Sequence, residues 1–322
     1  MFTYSIEQWL LFFYIYCFLG WCFESGWVSF RTGHLVNRGF MRAPFLPLYG
    51  SGAIMMYVVS RPFQDNIVLT YLAGCVGATI LEYVTGATME RMFKIKYWDY
   101  SNQRFQYKGH ICLSSTIAWG FLTIFMTKVI HNPIEHIVLA VPETVVSVIV
   151  LLLTVVLTWD FALSFKAALD LRELLVRLEE TKEDFEELRA RLQDMLEHQR
   201  SKLEEVLAGQ SDKLEGLLED LAEVREDIQA DLSARLEVRI SAIHNRLEDL
   251  NLEGLKDARE DYRKWRESFY ANRLKYSQAL DIRDKFKLHH LFNNPTLSSE
   301  QFKEAIAEIY QSIQSRDNKK NK

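Results

Sequence analysis

The segment that most constrains the fold is Ile67–Phe93, IVLTYLAGCVGATILEYVTGATMERMF. It is long and apolar enough to cross a bilayer at about 1.5 Å per helical residue. Yet it contains Glu82 and Glu90, eight residues apart, which a helix places on broadly one face. A carboxylate at membrane depth is costly and is kept for a partner or a function. The stretch therefore predicts a membrane protein with an acidic intramembrane site.

Composition divides the 322 residues in two. Mean hydropathy is −0.09, an average over an apolar, aromatic first half and a second half rich in Glu, Lys, Arg, Asp and Leu. The net charge of −5 averages unlike parts and points to no partner. Cys17, Cys22, Cys75 and Cys112 lie in apolar segments without CxxC spacing, so neither a zinc site nor a redox pair is expected. No basic region precedes the first apolar run and no small-residue cleavage pattern follows it, so that run reads as a retained span. No GxxxxGK[ST] loop and no Gly-rich dinucleotide fingerprint occurs, which removes ATP hydrolysis by that device within this chain. No cofactor or metal is expected.

Five spans are predicted. Ser5 caps a first helix over about Gln8–Phe30, with Glu24 near its far end. A polar loop through Asn37, Arg38 and Arg42 leads to a short stretch from Phe45 to about Ser60, broken at Pro47, Gly50 and Gly52. This stretch reads as a tilted or partly unwound span, the latter tolerated only where protein or a cavity covers the backbone. The third span is Ile67–Phe93. The fourth covers roughly Ile111–Val129, and the fifth begins near Ile134 and ends near Leu163. Loops one and three collect Arg31, Arg38, Arg42, Arg91, Lys94, Lys96, Arg104 and Lys108, whereas loops two and four hold only Arg61 and Lys128. Basic loops stay in the cytoplasm, which puts the N-terminus outside and the C-terminal half inside.

From Lys166 the pattern becomes heptads. Leu171, Leu174, Leu178, Thr181, Phe185, Leu188, Leu192 and Met195 keep three-four spacing, and two further phases run through Leu207–Ile228 and Leu236–Leu250. Such a seam demands a partner helix, from this chain or from another copy. With no Pro between Pro142 and Pro295, the last span is predicted to continue unbroken into this region. Residues 256–292 interleave Tyr262, Trp265, Phe269, Tyr270 and Tyr276 with Arg and Lys. Two readings stay open: a surface for anionic headgroups, or an amphipathic helix packed back on the coiled coil. Acidic residues dilute the basic charge, so no nucleic-acid partner is expected. Asn293-Asn294-Pro295 reads as a turn, Ser298 and Gln301 as a capping box for a helix ending near Ser315, and the last residues as a disordered tail.

The expected architecture is thus all-α: a polytopic bundle of about five transmembrane helices over 1–163, a long cytoplasmic coiled coil over 164–255, and a basic-aromatic helix, short helix and tail over 256–322. The residues with chemical potential are Glu24, Arg38, Glu82, Glu90, Asp99 and His110. Three readings compete for them. The carboxylates pair with Arg38, Arg42 or Arg91 and hold helices together; they line a cytoplasm-facing pocket for a polar or cationic substrate or a proton; or Glu, Asp and His gather a divalent metal for hydrolysis. No HExxH, GxSxG or paired His spacing supports the third.

Five ordered motifs add a resemblance: GWCFES from Gly20, NRGFMRAPFLPLYGSG from Asn37, LEYVTGATMERMF from Leu81, WDYS from Trp98 and GHICLSSTIAWG from Gly109. Together they resemble the ABC-transporter permease family described as type IV or CmpB-like, over roughly residues 8–160. The resemblance implies a bacterial multi-spanning permease in the inner membrane, with a separate ATPase subunit as a possible partner. Glu24, Asn37, Arg38, Tyr49, Glu82, Tyr83, Glu90, Trp98, Asp99 and Tyr100 match its pattern and, with His110, are the expected substrate-binding residues. The coiled coil is outside that motif set. It supports the alternative of a membrane-anchored scaffold or sensor that forms a homo-oligomer through its helices.

Overall fold

The computed structural model describes residues 4–206, 256–280, 285–294 and 296–320. These residues form two compact units. The first combines 1–175 with 282–307; the second combines 176–281 with 308–322.

The first unit is a helical bundle. Helix α1 (Ile6–Thr32) starts at the expected cap: Ser5 accepts from the Gln8 N–H while the Gln8 side chain accepts from the Ser5 N–H. Gly33, at φ 74°, ends it in the left-handed conformation. Helix α2 (Pro47–Ser60) begins with Pro at its first position, where the missing N–H costs nothing. Helix α3 (Ile67–Phe93) is capped by Asn66, whose side chain accepts from the N–H groups of Val68 and Leu69. A two-stranded hairpin, β1 (Gln106–Tyr107) and β2 (Ile111–Cys112), follows. Helix α4 (Leu113–Phe125) passes through a π-turn, Met126–Ile130, into α5 (His131–Ala140). Helix α6 then runs without a break from Glu143 to Val206, 64 residues.

Among the described residues, four helical runs are long and apolar enough to span a membrane: Ile6–Thr32, Ile67–Phe93, Leu113–Ala140 and Glu143–His198. The second of the five expected spans is not among them. Helix α2 has 14 residues, about 21 Å of helix against a hydrocarbon core of about 30 Å. It nevertheless packs between α1 and α3. Its start lies against the middle of α1, where the Leu46 N–H donates to the Cys17 carbonyl, and its end lies against the start of α1, where Tyr57 meets Tyr4. Residues 33–46 are irregular and cover the rest of α1: Asn37 accepts from the Trp21 indole, and the Arg38 N–H donates to Ser25 Oγ.

The boundary between the last two spans also moves. Val141 is extended, at φ −83° and ψ 134°, because the ring of Pro142 excludes the helical conformation from the residue before it. The break therefore falls at 141–142. His131 and Glu135, read from sequence as loop and span entrance, are helical residues within one 28-residue run.

Small residues set the crossings. A methyl group on Gly74 would sit 2.1 Å from Thr123 Oγ1, and one on Gly50 would sit 2.4 Å from Cys17 Sγ, so α3 meets α4 and α2 meets α1 at close range. The core joins Phe12, Tyr14 and Tyr16 of α1 with Tyr57, Met126, Val138, Val146 and Val150. Helix α8 (Lys285–Phe292; α7 belongs to the second unit) and the strand-like residues after it complete the first unit.

In the second unit, Leu178, Thr181, Leu188 and Leu192 of α6 are buried. Helix α7 (Lys256–Leu280) lies against them: the Trp265 indole donates to the Leu188 carbonyl, and Phe185 meets the rings of Phe269 and Tyr276 edge-on. Lys182 pairs with Glu308 of α9 (Lys303–Lys320) at 2.8 Å. Over these residues the chain supplies its own partner for the seam, and α7 takes the packed-back arrangement. The heptad phases of 207–250 and Pro295 of the expected turn lie outside the described residues. Ser299, not Ser298, accepts from the Phe302 N–H in the turn just before the last helix, which begins at Lys303 and extends to Lys320 rather than ending near Ser315.

Candidate functional site

Glu82 lies about 22 Å along α3 and is 5% exposed. Three groups donate to it: the Tyr100 hydroxyl to Oε1 at 3.0 Å, the Trp119 indole to Oε2 at 2.9 Å, and the Ser115 hydroxyl to Oε2 at 3.3 Å. All three are neutral, and among the described residues no Lys, Arg or His forms an ion pair with this carboxyl group. Ser115 and Trp119 sit one turn apart on α4, the helix that Gly74 brings close.

Glu24 on α1 is held differently. The Tyr49 hydroxyl donates to its Oε1 at 2.7 Å, and Arg38 Nε lies 3.9 Å from its Oε2. The remaining guanidinium nitrogens of Arg38 donate to Asn294 Oδ1, Thr296 Oγ1 and the Tyr97 carbonyl. Burial depresses the Arg38 guanidinium's affinity for its proton, and Glu24 opposes that effect. Each of the two carboxylates accepts from a phenol, Tyr49 for Glu24 and Tyr100 for Glu82. Burial pushes the Tyr100 phenol up, Glu82 adds to this by charge and hydrogen bond, and Glu24 contributes a smaller push in the same direction.

The segment 94–112 places Tyr100. Asp99 accepts from the hydroxyl and N–H of Ser101 and from the Ser298 hydroxyl. Burial pulls the Asp99 carboxyl upward, but these bonds and the charge of Lys96 outweigh it and hold it below the usual range. The Tyr100 N–H donates to the Gly109 carbonyl, and Gly109 sits at φ 72° where a methyl group would strike Asp99 and Ser101, so only Gly fits this turn. The Trp98 indole donates to the His110 carbonyl, and the Tyr83 ring meets the rings of Tyr107 and His110.

Glu90 does not share Glu82's partners. It faces His110 Nε2 at 3.0 Å and Lys96 Nζ at 3.6 Å. Asn37 bridges the Trp21 indole and the Arg42 carbonyl and is a positioning residue for the loop. Of the three readings from sequence, pairing with Arg38, Arg42 or Arg91 describes Glu24; Glu90 meets Lys96 and His110 instead, and Glu82 meets no basic side chain among the described residues. No group of three or more His, Cys, Asp or Glu able to hold a metal occurs among the described residues.

Sequence reasoning missed Ser115, Trp119, Lys96 and Asp160. Asp160 of α6 accepts from the N–H groups of both Arg42 and Ala43 and pins the irregular loop. Ser115 and Trp119 stand four apart within GHICLSSTIAWG, and that spacing was the available signal for two donors on one helix face.

Residues 11–165 match the family model described as "Putative ABC-transporter type IV". The matched residues lie within the membrane half and are similar to this family. The matched range holds every candidate site residue named from sequence, while Asn294, Thr296 and Ser298, which bind Arg38 and Asp99, lie outside it. No curated protein and no solved structure matches the chain.

Proposed function

We propose that the protein is the membrane-spanning permease component of a type IV transporter, and that Glu82 and Glu24 form its acidic site for a cation or a cationic substrate. The observation that carries this reading is Glu82, a buried carboxyl group in the middle of a span that meets three neutral donors and no basic side chain among the described residues. A carboxylate so placed is stabilised as an acceptor and still has negative charge to offer a ligand. The charge bias of the loops supports a cytoplasmic position for 33–46 and 94–112, with the site opening on that side. A separate ATPase subunit is the partner that the family description implies.

The alternative, a membrane-anchored scaffold that self-associates through its helices, draws on the 64-residue α6. Over 178–192, however, residues of the same chain cover the seam. Self-association would then fall to the residues between 207 and 255.

The test is thermal melting of the purified protein in lipid nanodiscs against sodium, potassium, choline and spermidine. At least one cation should raise the melting temperature, and Glu82→Gln should abolish that rise while the unliganded protein still folds. A panel without effect, or a rise that survives in Glu82→Gln, overturns the reading.

A further inference from the structure

A second polar cluster occupies the other end of the first unit's bundle and uses none of the residues above. Its centre is His131, 3% exposed, at the start of α5. The π-turn directly before it closes with the His131 N–H donating to the Met126 carbonyl, five residues back. Just after this turn, His131 and Glu135, one turn on, meet Tyr4, and His131 also meets Tyr16. Such bulges concentrate at functional positions.

Every neighbouring element presents a titratable or charged group. From the α1 side, Tyr16 OH lies 2.6 Å from Nδ1 and Tyr4 OH lies 3.4 Å from Nε2. From α2, the Tyr57 ring lies over the imidazole with centroids 4.0 Å apart, and its hydroxyl meets that of Tyr4 at 3.1 Å. Arg61 donates to the Tyr57 hydroxyl at 3.5 Å. On α5 itself, Glu135 accepts from the Tyr4 hydroxyl.

We propose that His131 is a proton-binding site, served by Tyr4 and Glu135 at the bundle end and by Tyr16 deeper within it. Both ring nitrogens face hydroxyl groups, which donate or accept as they rotate. Because Tyr4 donates to Glu135, the neutral ring donates from Nε2 to Tyr4 and accepts at Nδ1 from Tyr16. On gaining a proton it donates from both, to Tyr4 and Tyr16, while Tyr4 passes its own hydrogen bond to the Glu135 carboxylate. Both states thus keep both ring contacts and the Tyr4–Glu135 bond, while the Tyr16 proton turns away from the charged ring, and Glu135 supplies the balancing charge across one hydroxyl. Arg61, across Tyr57, opposes it. An ionisable group within a span, paired in both of its charge states, is built to change between them. The site takes a proton and stands whether or not Glu82 binds a cation.

The experiment is nitrogen NMR of histidine-labelled full-length protein in lipid bilayers, with His131 identified by its loss in His131→Gln. Should that variant fail to fold, its contact with labelled Tyr57 identifies it instead. The His131 ring should pass from neutral to imidazolium between about pH 5 and pH 8. Glu135→Gln should move the midpoint down and Arg61→Gln should move it up, each by about one pH unit or less. A ring that never changes state in that range overturns the proposal, as does a midpoint that ignores both substitutions.

Discussion

Glu82 is satisfied by three donors that are unequal. The Trp119 N–H is rigid and 2.9 Å away, whereas the Ser115 hydroxyl is 3.3 Å away and has the Cys112 carbonyl as a second acceptor. Hydrogen bonds to a charged group contribute about 1.5–3 kcal/mol each. Trp119→Phe should therefore lower stability by that order, and Ser115→Ala by clearly less, as read from melting in detergent; equal losses would contradict this geometry. At this scale the sequence was legible where charge stood out against an apolar background, as with Glu24, Arg38 and Glu82. It was opaque for the donors, because Trp and Ser within a span look like packing residues. His131 and Glu135 were hidden for a different reason: a span boundary drawn at 129–134 put them at a surface.

Elements are set by local stops and close contacts. Pro142 ends one span and begins the next by acting on Val141, an effect visible in the sequence only once the helix before it is known to run to Ala140. The length of α2 was legible, and its brevity is what removes it from the count of full spans. Heptad spacing located the buried face of α6 at Leu171, Leu178, Thr181, Leu188 and Leu192, although spacing alone left the covering partner open. Crossing distance gives a sharp prediction. Gly74→Ala places a methyl group 2.1 Å from Thr123 and should cost about 1–3 kcal/mol, while Gly52→Ala meets nothing closer than 4.0 Å and should be tolerated. Equal melting temperatures for the two variants would show that α3 and α4 do not approach as described.

For the molecule as a whole, the least legible feature is that residues 282–307 belong with the membrane half. His290 is 1% exposed, its Nδ1 facing the Tyr97 hydroxyl and its Nε2 the Ser164 carbonyl. His289 Nε2 and Asn294 both reach the Gly39 carbonyl. No periodicity announces contacts separated by 126 to 255 positions. Burial pushes His290 down from 6.5 to about 4, and His289 moves in the same direction. Between those values the unfolded chain holds a proton that the folded chain lacks. The contribution is complete above about pH 6.5 and is lost as pH falls toward about 4, at up to about 1.4 kcal/mol per unit from His290 alone. Melting temperature should fall over that window, and His290→Gln should flatten the fall; parallel curves would contradict the burial of this ring.

The proposed acidic site of Glu82 and Glu24 is the centre of the account, and equilibrium dialysis of the stabilising cation against nanodisc-held protein tests it most directly. The wild-type chain should bind one cation, Glu24→Gln should bind it more weakly, and Glu82→Gln should bind none. The same occupancy in all three proteins would contradict it.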